Sequence, residues 1–507
     1  MSEALPGQPA APPPSTPRDA AAVVLCRRIA GALEVYWVRR EAQLRFAAGF
    51  YAFPGGRVDA SDSEVVVDGA SGEAATLRVT AARELFEEAG VLIAEGDSVL
   101  SQETLRGARK ALLDGTLRFP DFLARHHLGL RATRLLEAGR YVTPPSMPHR
   151  FDCRFFLVEA NALSQAEHWP GELAEGAWVS PAVALERWNE GTALLHPPSL
   201  HALQTLAHWT TLESALAALQ NPPNVPNFVP TRVEFQRGIR TFPLETETLL
   251  PATHTNCYLL GNGELLIVDP GSKDTRQNAR LFALVAGLKA EGKRPLAVVL
   301  THHHRDHVDG ALAVSQRLGI PIWAHRMTAE RVTFPVQRML EEDEILVLQG
   351  APTMSWRVLH TPGHARGHIC LVDLSTQAAI VGDMVAGFGT ILIDPPEGDM
   401  TEYLRQLERL QRLPVRAIYP AHGPPLPDGP GKLGEYLWHR EARERKVLEA
   451  LRDAGGTLPE IAARAYADTV TAFPPLAQRS TQAILIKLVR EGRVTRREDR
   501  YFPTASD

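Results

Sequence analysis

The 507 residues carry a net charge of −5, with 44% hydrophobic and 22% charged side chains, the balance of ordinary soluble domains. Such a charge gives no global attraction to nucleic acid or to an anionic membrane, so any polyanion site must come from a local patch. Four widely spaced cysteines with no CxxC pair argue against a disulfide framework and a thiolate zinc site, and a reducing cytoplasm is the simplest compartment.

A prior of roughly 100 to 200 residues per domain predicts about three domains. Residues 1–18 are rich in Pro, Ala and Ser and read as a disordered tail, with neither the basic nor the apolar region of a secretory signal. No apolar run approaches the roughly 20 residues that span a bilayer, and there is no internal repeat. AAVVLCRR and LEVYWVRR predict two strands, FAAGFYAFPGGR a glycine-rich turn, and VTAARELFEEAGVLI a helix. HRFDCRFFLVEA and GAWVS predict further strands and PAVALERWNEG a helix, which completes an α+β domain over 19–218. The stretch 219–232 reads as a linker, because QNPPNVPNFVPTR holds four prolines and three asparagines.

Beyond the linker, the strand candidates TNCYLLG, GELLIVD, LAVVLTH, PIWAH and AAIVGD alternate with the helical TRQNARLFALVAGLKA and MTEYLRQLERLQRL. This predicts a layered α/β domain over 233–437. The charged helix EYLWHREARERKVLEAL then leads into a small unit, 438–507, ending in a helix and a hairpin within TQAILIKLVREGRVTRREDRYFP.

LTHHHRDHVDG places His302 and His304 on alternate positions after a strand, so both imidazoles face one side and can reach one cation. Asp306 and His307 follow at a helix start. TPGHARGH then offers His364, VGD offers Asp383 and YPAHG offers His422, each in the C-terminal region of a predicted strand, where open α/β sheets build their sites. His303 points away from its neighbours by the same alternation, and it is read, with His325, His360 and His368, as structural or surface.

These motifs, with VDPGS containing Asp269, resemble the metallo-β-lactamase superfamily in content and order. The resemblance implies an αββα sandwich in which His302, His304 and His364 hold one metal, Asp306, His307 and His422 the other, and Asp383 bridges them. Two zinc ions are expected for such ligands, lowering the pKa of a water and polarising the scissile bond, with Asp306 and Asp383 as catalytic carboxylates. Asp309 departs from the family, which often has glycine there. TPGHARGHICLVD, VGDMVAGFGT, YPAHGPPL and the tail resemble the β-lactamase-like protein 2 family, which ends in a winged helix and includes a single-strand-specific endoribonuclease. Lys487, Arg490, Arg493, Arg496 and Arg497 cluster on that unit's helix and wing as candidate phosphate contacts, interleaved with Glu491, Glu498 and Asp499.

In RELFEEAGV, Glu84, Glu87 and Glu88 fall on one helix face, and like charges so placed require a cation. Oxygen ligands favour Mg²⁺ or Mn²⁺ and a substrate bringing its own pyrophosphate. Glycines 55 and 56 of FPGG allow the turn to approach the helix closely. The segment resembles the Nudix box, matching at Arg83, Glu84, Glu87, Glu88, Gly90 and Val91. The resemblance implies an α/β/α sandwich, with Glu84, Glu87 and Glu88 carrying the metals, Glu87 and Glu88 catalytic, Arg83 orienting a glutamate, and Gly55, Gly56 and Arg83 meeting substrate. Upstream the sequence departs: Gly56 to Arg83 is 83 − 56 = 27 residues, far more than the box has, and the glutamate expected eight residues before Arg83 is Ala75. The insert, with GRYVTPPSMPHRFDCRFF and EGAWVSPAVAL, is similar to a branch that includes coenzyme A diphosphatases, and Arg40, Arg45 and Gly49 fit a coenzyme A motif, with Glu41 in place of its small residue.

The expectation is a multidomain α+β, two-site, metal-dependent hydrolase. A dinuclear zinc endoribonuclease-like domain acting on single-stranded RNA is joined to a Nudix pyrophosphohydrolase acting on a nucleotide or coenzyme-type small molecule. One alternative is an acyl-coenzyme A thioester hydrolase coupled to a coenzyme A diphosphatase; another makes the Nudix domain a non-catalytic nucleotide-binding module.

Overall fold

Ala20–Cys26 is an unbroken run of small and apolar residues. In the computed structural model, which describes residues 13–44, 47–96, 100–160, 165–208, 211–452, 455–469 and 473–504, it lies within the strand Arg18–Ile29. Most of the predicted tail, and Arg45, fall outside the described residues. Ala21, Val23 and Leu25 enter one apolar core and Ala22, Val24 and Cys26 another, so this strand is covered on both faces. The described residues divide into two compact units, 13–237 and 238–507.

In the first unit the sheet runs Tyr51–Ala52, Ala32–Arg40, Arg18–Ile29, Phe151–Glu159, Leu136–Val142. Arg18–Ile29 and Phe151–Glu159 pair in parallel. The helix Gly72–Ala89 packs on one face, and Pro181–Asn189 and Pro197–His208 cover the other. The first helix begins at Gly72, ahead of the predicted Val79, because the insert contributes its opening turns. It stops at Ala89, since Gly90 takes a left-handed φ of 68° that ends the helical hydrogen bonding. Helices Gln102–Leu113 and Phe119–Arg125 have no counterpart in the sequence reading. The proline-rich stretch belongs to this unit, with Arg140 lying 4.5 Å over the Phe228 ring.

The second unit stacks two sheets. One contains, in order, Ile239–Glu245, His254–Leu260, Glu264–Val268, Arg294–Leu300, Ile322–His325 and Arg338–Leu340; the other runs Ile345–Leu348, Met354–His360, Ile369–Asp373, Ala378–Gly382, Ala417–Pro420. Helices Thr275–Ala290 and Ala311–Leu318 pack on the first sheet and Met400–Arg412 on the second. Gly429–Glu449 leads into a small unit made of Leu458–Ala465, Pro474–Arg490 and a three-stranded sheet containing the hairpin Val494–Arg497 and Arg500–Pro503. None of the described helices is long and apolar enough to cross a membrane.

Candidate functional sites

Strand ends of both sheets in the second unit deliver the sequence-predicted ligands to one place. Three groups of donors, His302–His304–His364, His302–His307–Asp383 and Asp306–His307–His422, each lie within 4.8 Å of one another. All seven residues are buried. His304 Nδ1 is 3.0 Å from His302 Nε2 and 2.9 Å from His364 Nε2. A tetrahedral ion with bonds of about 2.0–2.1 Å to nitrogen has ligand edges near 3.3 Å, so these nitrogens nearly outline one coordination face. On the other side, Asp306 Oδ2 is 3.9 Å from His307 Nε2 and 3.5 Å from His422 Nε2.

Asp383 faces both groups. Its Oδ2 is 3.4 Å from His364 Nε2, while Oδ1 is 3.6 Å from His307 Nε2 and 3.3 Å from His422 Nε2. His307 Nε2 and Asp383 Oδ1 are buried without a hydrogen bond of good geometry, a costly arrangement that a cation relieves. The donor set therefore fits a pair of divalent ions.

The outer contacts of the rings fix which nitrogen points inward. His307 Nδ1 meets Asp269 Oδ2 at 2.8 Å, and Asp269 also accepts from the Thr301 N–H and hydroxyl at 2.8 and 2.6 Å. His364 Nδ1 meets the Leu392 carbonyl at 2.9 Å, and His422 Nδ1 the His254 carbonyl at 3.0 Å. Gly363, at φ 138°, leaves no room for a side chain: a Cβ would stand 2.4 Å from Tyr403 Cα.

Electrostatics divides the site. Burial holds His302, His304 and His364 below the ordinary imidazole value, as neutral donors. Burial opposes charge on His307 and His422 too, but Asp306, Asp383 and Asp269 push His307 well up, and Asp383 and Asp306 raise His422. Burial also opposes ionisation of Asp383, yet His422 and His307 hold its carboxyl well below the usual range.

His303 is half-buried and in none of the donor groups among the described residues. His325 caps a short helix and stacks on His360 at 4.0 Å. His368 has a role that sequence reasoning missed. Its Nδ1 lies 2.8 Å from the Thr361 hydroxyl, and its Nε2 accepts the Asp383 N–H at 3.1 Å, which fixes the backbone of the residue between the two donor groups. Asp309 pairs with Arg305 one turn back, 3.3 Å away.

The C-terminal cations are largely engaged. Lys487 is paired with Glu444 and Glu491, Arg493 with the same two carboxylates, and Arg490 with Asp399. Arg496 and Arg497 lie over Tyr501 and Phe502 of their own hairpin. Arg479 holds Asp394 at 2.6 Å, Arg440 donates to the Ile391 carbonyl, and the Tyr436 hydroxyl accepts the Ala386 N–H at 2.8 Å. Together with Arg490 these contacts fasten the loop whose Leu392 carbonyl orients His364. Exposed ion pairs contribute about 0–1 kcal/mol each, so they set where the loop sits, while Ile484, Leu485 and Leu488 packed with Val447 and Leu451 hold the unit in place.

In the first unit, Glu84, Glu87 and Glu88 share one face of Gly72–Ala89. The Gly55 N–H donates to Glu88 Oε2 at 2.8 Å, and a Cβ on Gly56 would stand 2.4 Å from Glu84 Oε1, so the turn lies directly against the acidic face. Arg83 Nη1 donates to Glu84 at 2.7 Å and to Glu87 at 3.3 Å. Burial raises Glu87 to about 7 and Glu88, with Glu84 adding, to about 8. Because both folded values exceed the ordinary glutamate value of 4.5, the folded state binds more protons between those limits and stability falls as pH rises. Without added Mg²⁺, the stability of the first unit against thermal unfolding is expected to fall as pH rises from about 5 to 8. Mg²⁺ should restore most of the loss; a pH-independent midpoint would refute the assignment.

Residues 250–422 match the metallo-β-lactamase superfamily, residues 64–206 the NUDT19 Nudix domain, and residues 457–501 the β-lactamase associated winged helix domain. A β-lactamase-like protein 2 homolog of Caenorhabditis elegans is 28% identical over 256 residues, 49% of this chain and 82% of the relative. An atrochrysone carboxyl ACP thioesterase of Aspergillus fumigatus is 32% identical over 201 residues, 39% of this chain and 60% of that protein. A NUDIX hydrolase structure from Alicyclobacillus acidocaldarius aligns at 31% identity over 41% of this chain and 99% of that one, with a TM-score of 0.36. The chain is a hydrolase that fuses a Nudix domain of the NUDT19 type, a metallo-β-lactamase domain resembling β-lactamase-like protein 2, and a C-terminal winged helix.

Proposed function

We propose that the second unit hydrolyses an acyl thioester carried on a phosphopantetheine arm and that the first cleaves the pyrophosphate of the freed coenzyme A-type nucleotide. The observation that favours this reading over cleavage of single-stranded RNA is the pairing of Lys487, Arg490 and Arg493 with carboxylates, which engages three of the five clustered cations that a phosphate backbone would meet. A relative named an ACP thioesterase supports thioester chemistry, since acyl carrier proteins and coenzyme A bear the same arm. The spacing of Arg40, Arg45 and Gly49 ahead of FPGG supports a coenzyme A nucleotide.

The donor chemistry of the second unit suits two zinc ions, one on His302, His304 and His364 and one on Asp306, His307 and His422, with Asp383 shared. Bound divalent ions supply Lewis acidity and lower the pKa of a water at the scissile bond. The chain's own contribution is orientation. Asp269 keeps the His307 tautomer, His368 holds the Asp383 backbone, and the Leu392 and His254 carbonyls aim His364 and His422. In the first unit Glu84, Glu87 and Glu88 would hold Mg²⁺ or Mn²⁺ against the substrate's pyrophosphate. Thioester hydrolysis yields an acid and a free thiol nucleotide, the substrate of the second reaction, and the covalent link keeps the two sites at a raised mutual concentration.

Purified full-length protein, assayed on acyl-coenzyme A, coenzyme A and single-stranded RNA over rising salt, is expected to turn over the first two with little salt dependence. Cleavage of RNA alone, falling steeply with salt as phosphate contacts are lost, would sink the proposal in favour of a nuclease.

A further inference from the structure

Ala75 stands where the Nudix box has a carboxylate, and its position in the helix explains why none belongs there. It lies near the start of Gly72–Ala89, packed in the apolar core. Being eight residues before Arg83 puts it about 12 Å away along a helix axis that rises 1.5 Å per residue. A glutamate at that distance would not reach Arg83, and its charge would be buried in the core. Arg83 is itself buried, at 9% exposure, and a buried guanidinium needs a carboxylate partner.

The insert provides one. Asp62 is fully buried and accepts from Arg83 Nε at 2.9 Å and Nη2 at 3.0 Å, the paired geometry that suits a guanidinium. It also accepts from the Thr80 hydroxyl at 2.8 Å and the Asp59 N–H at 2.9 Å. The short 3₁₀ turn that carries it, Ala60–Glu64, is capped by Asp59, which accepts the Ser61 N–H at 2.8 Å and its hydroxyl at 2.7 Å. Arg83 Nη2 meets the Arg57 carbonyl as well, at 2.8 Å, so Nη1 is the arm left to meet Glu84 and Glu87.

We propose that Asp62 is the positioning residue of the Nudix site, holding and neutralising one edge of Arg83 so that the guanidinium orients Glu84 and Glu87 without taking up their charge. The three glutamates then retain net negative charge for a divalent cation. Asp62 precedes the matched Nudix segment, which begins at Glu64, and it sits in the insert that separates FPGG from the helix. The activity arm of the test rests on the pyrophosphohydrolase reading above; the metal-binding arm does not.

The test uses the zinc-loaded full chain, with Mn²⁺ as the probe, read by electron paramagnetic resonance. Only the Mn²⁺ that a Glu87→Gln, Glu88→Gln double variant fails to bind is counted. Asp62→Asn, which keeps the shape and removes the charge, is expected to weaken that binding about 10- to 100-fold, the range for outer-contact changes at metal sites. It should lower kcat for Mg²⁺-dependent coenzyme A cleavage by a similar factor with KM little changed. Because Asp62 acts through Arg83, the Asp62→Asn, Arg83→Gln double variant should bind Mn²⁺ no more weakly than Arg83→Gln alone. Wild-type affinity in Asp62→Asn, or losses that add in the double variant, overturn the proposal. Should Asp62→Asn fail to fold, Thr80→Val removes one hydrogen bond to Asp62 and is expected to weaken Mn²⁺ binding less but measurably; unchanged binding there overturns it too. If the wild type cleaves no coenzyme A yet the Mn²⁺ losses are non-additive, the substrate reading fails and the role of Asp62 stands.

Discussion

Asp383→Ala is expected to reduce hydrolysis at the second site by roughly 10³-fold or more, the scale of losing a transition-state electrostatic contact. Metal content measured on the same sample should fall from two ions per chain toward one or none. The reason is geometric. Asp383 directs one oxygen at His364 and the other at His307 and His422, so its loss opens both donor groups at once. Its removal also takes one of three neighbouring carboxylates away from the buried His307, and a buried charged cluster that loses a partner is destabilised. Thermal unfolding of the variant must therefore be measured beside its activity. Full hydrolysis with unchanged metal content would remove Asp383 from the mechanism.

Replacing Glu87 and Glu88 together with glutamine is expected to cut Mg²⁺-dependent pyrophosphate cleavage by roughly 10²–10⁴-fold, the range for removing positioned ionisable groups, while hydrolysis at the second site continues. The wild-type rate should rise with pH through the region set by values of about 7 and 8 for these two carboxyls, since a cation binds their ionised forms. Added Mg²⁺ should move that rise to lower pH, because ligand and proton compete for the same oxygens. Persistence of the cleavage at the wild-type rate would remove Glu87 and Glu88 from the mechanism.

Much of the second site was legible because its ligands lie in short motifs at strand ends. Alternation after LAVVLT separates His302 and His304 from His303, Asp383 ends the apolar run AAIVGD, and His364 and His422 lie in the short motifs TPGHARGH and YPAHG. His368 was not legible, since what distinguishes it from His325 or His360 is a hydrogen bond to the Asp383 backbone across a sheet. The winged unit was recognisable from its helix and hairpin, but the charges of Lys487, Arg490 and Arg493 read as available when their partners, Glu444 and Asp399, are more than forty positions away in the sequence.

Strand alternation and helical spacing are local properties of the chain, and they set which side chains share a face in each half. Its box, its HxHxDH motif and its apolar runs are sufficient for the two domain types. What those side chains face depends on how the folded chain crosses itself. Asp62 reaches Arg83 across 21 residues, Leu392 orients His364 across 28, and Lys487 and Arg490 pair with Glu444 and Asp399. Such pairings follow from burial and chain crossing rather than from spacing, since a buried charge or ring nitrogen is satisfied by whatever the fold brings within about 3 Å.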